Sequence, residues 1–271
     1  MNDEILVAYL CYLTDSNKDR RGDNFYKSLE SMECLEHQKC KVVAIKNNCT
    51  SEAQAKIDSQ KGIDFSITMK KNLWDLSSIY AAAKIAFDNN MKYCCYMYDD
   101  FVVYNKDFMS DCINFLDDHH DVGCLRVPIY DYDNKKKYDP STTPKSRNPD
   151  SVRHYNTQTG KSLMWEGPFE YKSNTFYKCN WHYTSRPTIW RTDLLMSFFE
   201  DRDVIPVMQF FEGHACKLFG ETGLKTGVLN GGAMHTFLES ERNISDESKG
   251  VSVGVDIKDL ESSIAGMCKF Q

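Results

Sequence analysis

An alternation of strand-like and helix-like patterns over the first 130 residues constrains the fold of this chain more than any other feature. Continuous apolar runs at residues 5–13, 41–45, 65–68, 92–98 and 122–127 predict buried strands. The segments between them carry apolar residues at helical spacing. Because strands that alternate with helices are joined by right-handed crossovers, we predict an α/β fold with a mainly parallel central sheet and helices on both faces. Such sheets bind ligands beyond the carboxyl ends of their strands.

Capping residues and apolar spacing give more detailed expectations for three segments. Asp23 is predicted to cap the first helix, and Asp75 or Ser77 the third, whose buried stripe would extend to Phe87. Residues 231–235 are predicted to form a turn that ends in a histidine.

The chain changes character at residue 128. Six of its seven prolines and much of its tyrosine and tryptophan lie in residues 128–187, a composition typical of ordered loops with short strands that form one wall of a cleft. Regular patterns then resume, with a helix from near Glu212 and a strand at residues 224–229. We predict one domain over residues 1–238, divided near residue 127, followed by a tail or docking helix over residues 239–271.

Composition limits the function and the compartment. The 33 basic and 39 acidic residues give a net charge of -6, which disfavours a nucleic-acid-binding surface. The acidic start is unlike a signal peptide, and the apolar run at residues 5–13 is too short to span a membrane. The eleven cysteines contain no C-x-x-C pair, which favours reduced, buried thiols. We therefore expect a cytoplasmic protein without a transmembrane segment.

An acidic pair, Asp99-Asp100, follows the apolar strand of residues 92–98. Two adjacent carboxylates at this position repel each other unless a cation lies nearby, and Mn²⁺ or Mg²⁺ prefers oxygen ligands and shares them with substrate phosphates. The simpler alternative is that one aspartate caps the turn and the other is solvated. The sequence does not decide which of the two would bind a metal.

The order of several short motifs resembles nucleotide-sugar-dependent glycosyltransferases of the GT-A fold, closest to glycosyltransferase family two. The resembling segments are Tyr12-Leu-Thr14, the turn Asn47-Asn-Cys-Thr-Ser-Glu52, Lys71-Asn72 before Ala81-Ala-Ala83, and Tyr96-Met-Tyr-Asp-Asp-Phe-Val102 with Phe108. Together they place the resemblance over about residues 4–238. The chain departs from the family pattern at Asn47, where an aspartate is usual, and at Leu73-Trp74, which replaces a glycine.

This resemblance implies a metal-dependent glycosyltransferase with a nucleotide-sugar-binding half (1–127) and an acceptor-side half (128–238). A UDP-sugar is favoured over a GDP-sugar as donor, and a glycan or glycoconjugate as acceptor. The implied donor contacts are Tyr12, Thr14, Asn47, Asn48, Asn72 and Asp99. The implied ligands of Mn²⁺ or Mg²⁺ are Asp99, Asp100 and His235.

Glu212 is the candidate catalytic residue. The resemblance places an acidic residue near this position, where inverting enzymes keep the base that deprotonates the acceptor hydroxyl, and direct displacement would follow. The alternative is a glutamate that stabilises the start of a helix through the macrodipole.

Aromatic residues of the second half are candidates for sugar contacts. The stacking of aromatic rings on sugar C–H surfaces points to Trp165 and Trp181, with His182 beside Trp181, and core packing is the alternative for the tryptophans. Two other functions stay open: a noncatalytic carbohydrate-binding protein on the same fold, and a sugar nucleotidyltransferase, although the loop of residues 14–22 has one glycine where that class needs a glycine-rich turn.

Overall fold

The computed structural model describes residues 4–69, 74–129, 164–180, 186–200, 204–205, 208–236 and 255–264. The strands are β1 (Ile5–Cys11), β2 (Lys41–Asn47), β3 (Phe65–Met69), β4 (Tyr93–Tyr98), β5 (Phe101–Val103), β6 (Val122–Arg126), β7 (Pro128–Ile129), β8 (Trp165–Tyr171), β9 (Asn174–Cys179), β10 (Thr188–Arg191), β11 (Val204–Ile205), β12 (Lys225–Leu229), β13 (Met234–Thr236) and β14 (Val255–Asp256). The helices are α1 (Lys18–Ser31), α2 (Ser51–Asp58), α3 (Trp74–Asp88), α4 (Met109–Asp118), α5 (Thr192–Ser197), α6 (Met208–Thr222) and α7 (Ile257–Ile264), with a 3-10 turn at Met32–Leu35 after α1.

The described residues form a nine-stranded central sheet in the order β3-β2-β1-β4-β10-β6-β12-β9-β8. Seven of these strands run in one direction, and β9 and β10 run the other way. The predicted mainly parallel α/β sheet is therefore confirmed. The predicted loop-rich segment supplies the β8–β9 hairpin, which extends the sheet at one edge.

Helices cover both faces of the sheet, as the continuous apolar strands require. Alternate residues of β1 point to opposite sides. Tyr9 belongs to the core cluster that α1, α2 and α4 cover, whereas Leu10 belongs to the cluster under α3, α5, α6 and α7. Trp190 on β10 is fully buried between Phe198 and Phe219, so it is a core residue, as its position before a helix indicates.

Three helix predictions were wrong in detail. Helix α3 begins at Trp74, so the predicted caps Asp75 and Ser77 lie inside it. Helix α1 begins at Lys18, after Asn17, so Asp23 lies inside the helix. The side chain of Asn17 accepts a hydrogen bond from Thr14 N at 2.8 Å. This bond ends the loop at residue 17, so the helix begins earlier than predicted. Phe87 is 49% exposed, because a period of about 3.6 residues carries the buried face of α3 through Ala86.

The expected turn is present at Gly231 and Gly232, which have φ values of 82° and 66°, but it does not extend to His235. Residues 234–236 form β13, which pairs antiparallel with β5 and parallel with β7. In this small sheet His235 lies opposite Val102, two residues after Asp100. The backbone after β12 therefore returns along the acidic turn.

The C-terminal residues that the structure describes pack against the main body. Strand β14 pairs with β11, which lies just before α6. Leu260 of α7 is buried, and Tyr80 of α3 donates a hydrogen bond to Glu261 at 2.6 Å. Among the helices described, none combines the length and the apolar character needed to cross a membrane.

Candidate functional site at the carboxyl edge of the sheet

The strand order reverses between β1 and β4. The chain steps outward from β1 to β2 and β3, and then returns to the other side of β1 as β4. In doubly wound sheets this reversal opens a crevice beyond the carboxyl ends of the two central strands, and ligands bind there. The residues that follow Cys11 and Tyr98 therefore line the best-placed crevice in the described fold.

Asp99 joins three segments at this reversal. It follows β4 and its side chain is 4% exposed. One carboxylate oxygen, Oδ2, accepts a hydrogen bond from Tyr12 N at 2.6 Å, and the other, Oδ1, accepts one from Arg21 Nη2 at 2.7 Å. A buried carboxylate is strongly disfavoured without such partners. The loop after β1, the first turns of α1 and the end of β4 are thus held together by one side chain.

Arg21 is the site residue that sequence reasoning missed. Its side chain is 35% exposed, and its guanidinium carbon lies 5.9 Å from the centroid of the Tyr12 ring, within the range of a cation–π contact. The charge-rich segment of residues 14–22 after the first strand was the available signal. Nothing in that segment distinguishes Arg21 from its neighbours, because its partner Asp99 is 78 residues away.

Two serines fix α1 against the strand that follows the acidic pair. Ser28 Oγ donates to the Phe101 carbonyl at 2.5 Å, and Val103 N donates to Ser31 Oγ at 3.0 Å. Tyr9 OH donates to Ser28 Oγ at 3.0 Å, and burial raises the pKa of this phenol, so it stays protonated. These buried bonds hold α1 and β5 in register, and so hold Arg21 close to the acidic turn.

The turn after β2 lies beside the loop after β1. Thr50 N donates to the Leu13 carbonyl at 2.7 Å, which ties the two segments together. Asn47 is buried at the end of β2, whereas Asn48 is exposed and has a φ of 56°, a left-handed conformation that asparagine tolerates better than most residues. Thr14 lies in the neighbouring loop, where its hydroxyl contacts Ser16 Oγ at 2.8 Å.

The thiols near this crevice are not nucleophiles. Cys49 Sγ donates to the Cys11 carbonyl at 3.3 Å, and burial is the main cause that raises the pKa of Cys49 to about 11. Burial likewise raises the pKa of Cys11. Both thiols therefore stay protonated at neutral pH and serve as packing residues.

The two aspartates have different roles available to them. Both oxygens of Asp99 are engaged by Tyr12 N and Arg21. Asp100 is half-buried at the same turn. Within the described ranges no cluster of three or more His, Cys, Asp or Glu side chains could hold a metal ion. A Mg²⁺ or Mn²⁺ ion still fits, because such ions use one or two carboxylates and complete their shell with substrate phosphates and water.

The other predicted site residues are only partly described. Glu212 lies in α6, which begins four residues earlier at Met208 and has no acidic residue in its first turn, so the helix-start alternative loses its basis. His235 is on β13. The side chains of Glu212 and His235, and the whole of Asn72, Trp181 and His182, lie outside the described residues.

Trp165 is not brought to this crevice. It begins β8, six strand positions from β1, which corresponds to about 29 Å at a strand spacing of about 4.8 Å. Its role as a sugar contact stays a prediction.

Comparisons with known proteins give similarity at the level of solved structures. No protein-family model and no curated protein matches this chain. The crystal structure of S. aureus TarS 1–349 is 14% identical, covers 88% of this chain and 62% of its own, and has a TM-score of 0.47. Its complex with UDP-GlcNAc is 13% identical and covers 96% and 64%, with a TM-score of 0.48. The mannosyltransferase PcManGT from Pyrobaculum calidifontis, in complex with GDP-Man and Mn²⁺, is 11% identical and covers 82% and 53%, with a TM-score of 0.46. This chain thus spans less than two thirds of the length of each, and similarity at this level assigns it no activity.

Proposed function

We propose that this chain is a glycosyltransferase that moves a sugar from a nucleoside diphosphate-sugar to an acceptor hydroxyl. The observation that carries the proposal is the joining of Tyr12, Arg21 and Asp99 at the reversal of the strand order. This pair holds a guanidinium in place at the edge where doubly wound sheets bind nucleotides, and a positioned cation there suits an anionic diphosphate. The motif order from Tyr12 to Asp100 supports the same function.

In this proposal the donor lies across the ends of β1, β2 and β4. The nucleoside contacts Tyr12, Asn47 and Asn48, whose segments are tied together by the Thr50–Leu13 hydrogen bond. Thr14 and Asn72 complete the donor contacts, and a UDP-sugar is favoured over a GDP-sugar. The diphosphate extends toward the turn of Asp99 and Asp100.

Asp100 is the proposed metal ligand, and Asp99 the residue that orders the pocket. The basis is that both oxygens of Asp99 already accept short hydrogen bonds within the protein. His235 is kept as a second candidate ligand, because β13 runs beside β5. A bound Mn²⁺ or Mg²⁺ would stabilise negative charge on the leaving diphosphate.

Glu212 is the proposed base that removes the proton of the acceptor hydroxyl. Direct attack by that oxygen on the anomeric carbon, opposite the leaving diphosphate, would invert its configuration. The acceptor is proposed to be a glycan or glycoconjugate contacted by Trp181 and His182, and an acceptor long enough to reach β8 would also contact Trp165. A reducing, cytoplasmic location belongs to the same proposal, and the buried thiols of Cys94 and Cys95, which form no disulfide, support it.

Nucleotide binding and donor turnover test this function. UDP, GDP, UDP-GlcNAc and GDP-mannose are titrated with and without Mn²⁺, with the thermal midpoint and donor hydrolysis as readouts. Metal-dependent stabilisation by one nucleotide, with slow hydrolysis of its sugar conjugate, is expected. Stabilisation without turnover or transfer would favour the noncatalytic carbohydrate-binding alternative. The absence of any nucleotide effect would overturn the proposal.

Asp100→Asn sharpens the metal assignment. We expect it to remove the Mn²⁺-dependent part of nucleotide stabilisation, because it removes the carboxylate charge that a hard cation requires. Asp193→Asn is the matched control, since Asp193 is exposed and lies on α5 beyond the opposite edge of the sheet. A Mn²⁺ response that survives in Asp100→Asn would contradict the assignment.

A further inference from the structure

We propose that Arg21 binds the diphosphate of the donor and that Asp99 positions its guanidinium for this contact. The inference rests on the proposed function and names a residue that the motif resemblance does not include. It starts from the geometry of the ion pair. Arg21 Nη2 lies 2.7 Å from Asp99 Oδ1, and the aspartate is almost completely buried while about a third of the arginine is exposed.

The position of the guanidinium is suited to an anion in the crevice. Its carbon lies 5.9 Å from the Tyr12 ring centroid, so the group lies beside the loop that follows β1. Asp99 is held from the other side by Tyr12 N at 2.6 Å, which fixes the carboxylate. A guanidinium presents its N–H donors in a planar fork whose geometry matches phosphate oxygens, which makes arginine well suited to bind a diphosphate.

A second arginine shows what a purely structural guanidinium looks like in the same sheet. Arg191 donates to the carbonyl oxygens of Val122, Leu116 and His119, at 2.8, 2.7 and 3.2 Å, and so fixes the end of α4 against the start of β6. These backbone acceptors and the Tyr93 ring, whose centroid lies 5.8 Å from the guanidinium carbon, belong to one packed corner at the amino edge. Arg21 instead binds a carboxylate at the edge where the crevice opens, and its charge is directed to a site rather than to a helix end.

The charge balance explains why the pair is useful. Without ligand, the guanidinium neutralises the buried carboxylate, which would otherwise be strongly disfavoured. The anchored arginine also keeps one positive charge at the crevice in a fixed orientation. Little conformational freedom is then lost when the diphosphate binds, because Arg21 is already ordered.

The competing explanation is that Arg21 only holds Asp99 in place for the nucleoside. The two explanations differ in how much affinity the protein loses, without Arg21, for ligands that carry different numbers of phosphates. Affinities of the nucleoside, its monophosphate and its diphosphate are therefore measured by calorimetry or by competition. We compare the wild-type chain with Arg21→Gln and Arg21→Lys. The ligands carry uracil or guanine, whichever base gives the nucleotide that stabilises the wild-type protein.

We expect Arg21→Gln to weaken diphosphate binding by about ten- to a hundred-fold, the range of a hydrogen bond to a charged group, and to change nucleoside binding little. Arg21→Lys keeps the charge and the ion pair with Asp99 but lacks the planar fork. Its affinity for the diphosphate should lie between those of the wild-type chain and Arg21→Gln. Lys27→Gln is the matched control, because it makes the same charge change at an exposed position of the same helix. It should bind like the wild-type chain.

Equal losses for nucleoside and diphosphate in Arg21→Gln would overturn the inference, and so would an unchanged diphosphate affinity. Both results leave the proposed function standing, because the wild-type chain still binds the nucleotide. If the wild-type chain binds no nucleotide, the proposed function fails first. Thermal midpoints of the three variants without ligand test whether a loss of affinity comes from misfolding. Arg21→Lys is the second safeguard, because it retains the contact that fixes Asp99.

Discussion

The two edges of the central sheet handle charge in opposite ways. At the amino edge, Asp121 is 46% exposed and faces two lysines, Lys178 at 2.7 Å and Lys225 at 3.4 Å. At the carboxyl edge, Asp99 is 4% exposed and binds Arg21 and one backbone N–H. In the first arrangement the carboxylate is partly solvated and has two partners, the buried Lys178 and the partly exposed Lys225, so the loss of Lys225 alone should cost little stability. The second is dehydrated and joins three segments, so losing one partner is costly.

This difference separates structure from function within one sheet. On the face of the sheet that α4 covers, Phe115 stacks on Phe176 in an aromatic cluster, with ring centroids 4.6 Å apart. Arg191 donates to the carbonyl oxygen of Leu116, next to Phe115, and to two further backbone carbonyls at the amino edge. Packing therefore dominates in this cluster, and polar groups with fixed positions dominate at the acidic turn. Substitutions in the cluster and at the acidic turn should separate stability from nucleotide binding.

The largest expected effect on stability is in this aromatic cluster. Phe115→Ala removes a fully buried ring from the cluster and should lower the free energy of unfolding by about 3–5 kcal/mol. Nucleotide affinity of the folded protein should stay unchanged, because Phe115 packs against Gly227 of β12, which β10 and β6 separate from the crevice between β1 and β4. Urea unfolding and calorimetry measure the two quantities. Phe87→Ala, at an exposed phenylalanine, is the control and should change neither. A large loss of nucleotide affinity in Phe115→Ala would show that packing in this cluster and binding in the crevice are coupled.

Asp99→Asn should show the reverse pattern. It removes the charge that Arg21 faces, and we expect a loss of about 1–3 kcal/mol in the free energy of unfolding together with loss of nucleotide-dependent stabilisation. Thermal midpoints with and without nucleotide measure both effects. Asp193→Asn again serves as the control. Retention of full nucleotide stabilisation in Asp99→Asn would show that the ion pair is structural only.

The smallest effect is expected for Lys225→Met, and it depends on pH. Burial raises the pKa of Asp121, but the hydrogen bonds and charges of Lys178 and Lys225 outweigh it and leave this pKa below its ordinary value. A lowered folded-state pKa means that the stabilisation is complete above the unfolded value of about 3.9 and is lost as pH falls through the folded value. Lys225→Met should therefore lower the free energy of unfolding by about 0.2–1 kcal/mol at neutral pH. It should also lose less of this free energy than the wild-type chain as the pH falls.

Urea unfolding at neutral pH and at a series of acidic pH values measures this prediction. Lys217→Met is the matched control, because Lys217 forms a wide, exposed pair with Glu221 at 3.8 Å. Lys225 also pairs with Glu166 at 2.7 Å. An acid-dependent loss in Lys225→Met that equals that of the wild-type chain would therefore show that this lysine stabilises neither carboxylate.

Much of the fold could be predicted from local patterns. The strands β1, β2, β3, β4 and β6 lie where apolar runs indicated them, because a strand buried on both faces must be apolar at every position. Boundaries that depend on a few hydrogen bonds, such as the start of α1, could not be predicted. The strand at His235 was missed for a similar reason, since its partners β5 and β7 are distant in sequence.

The same distinction between local patterns and distant contacts applies to the candidate site. The sequence by itself determined that polar residues such as Tyr12, Asn47 and Asp99 follow apolar strands, and therefore that they would meet at one edge of a parallel sheet. Only the tertiary structure decided that Arg21 pairs with Asp99 and that both aspartate oxygens are engaged. The physical reason is that local periodicity reports which face of an element is buried, whereas an ion pair between residues 78 positions apart depends on how two elements are placed in space.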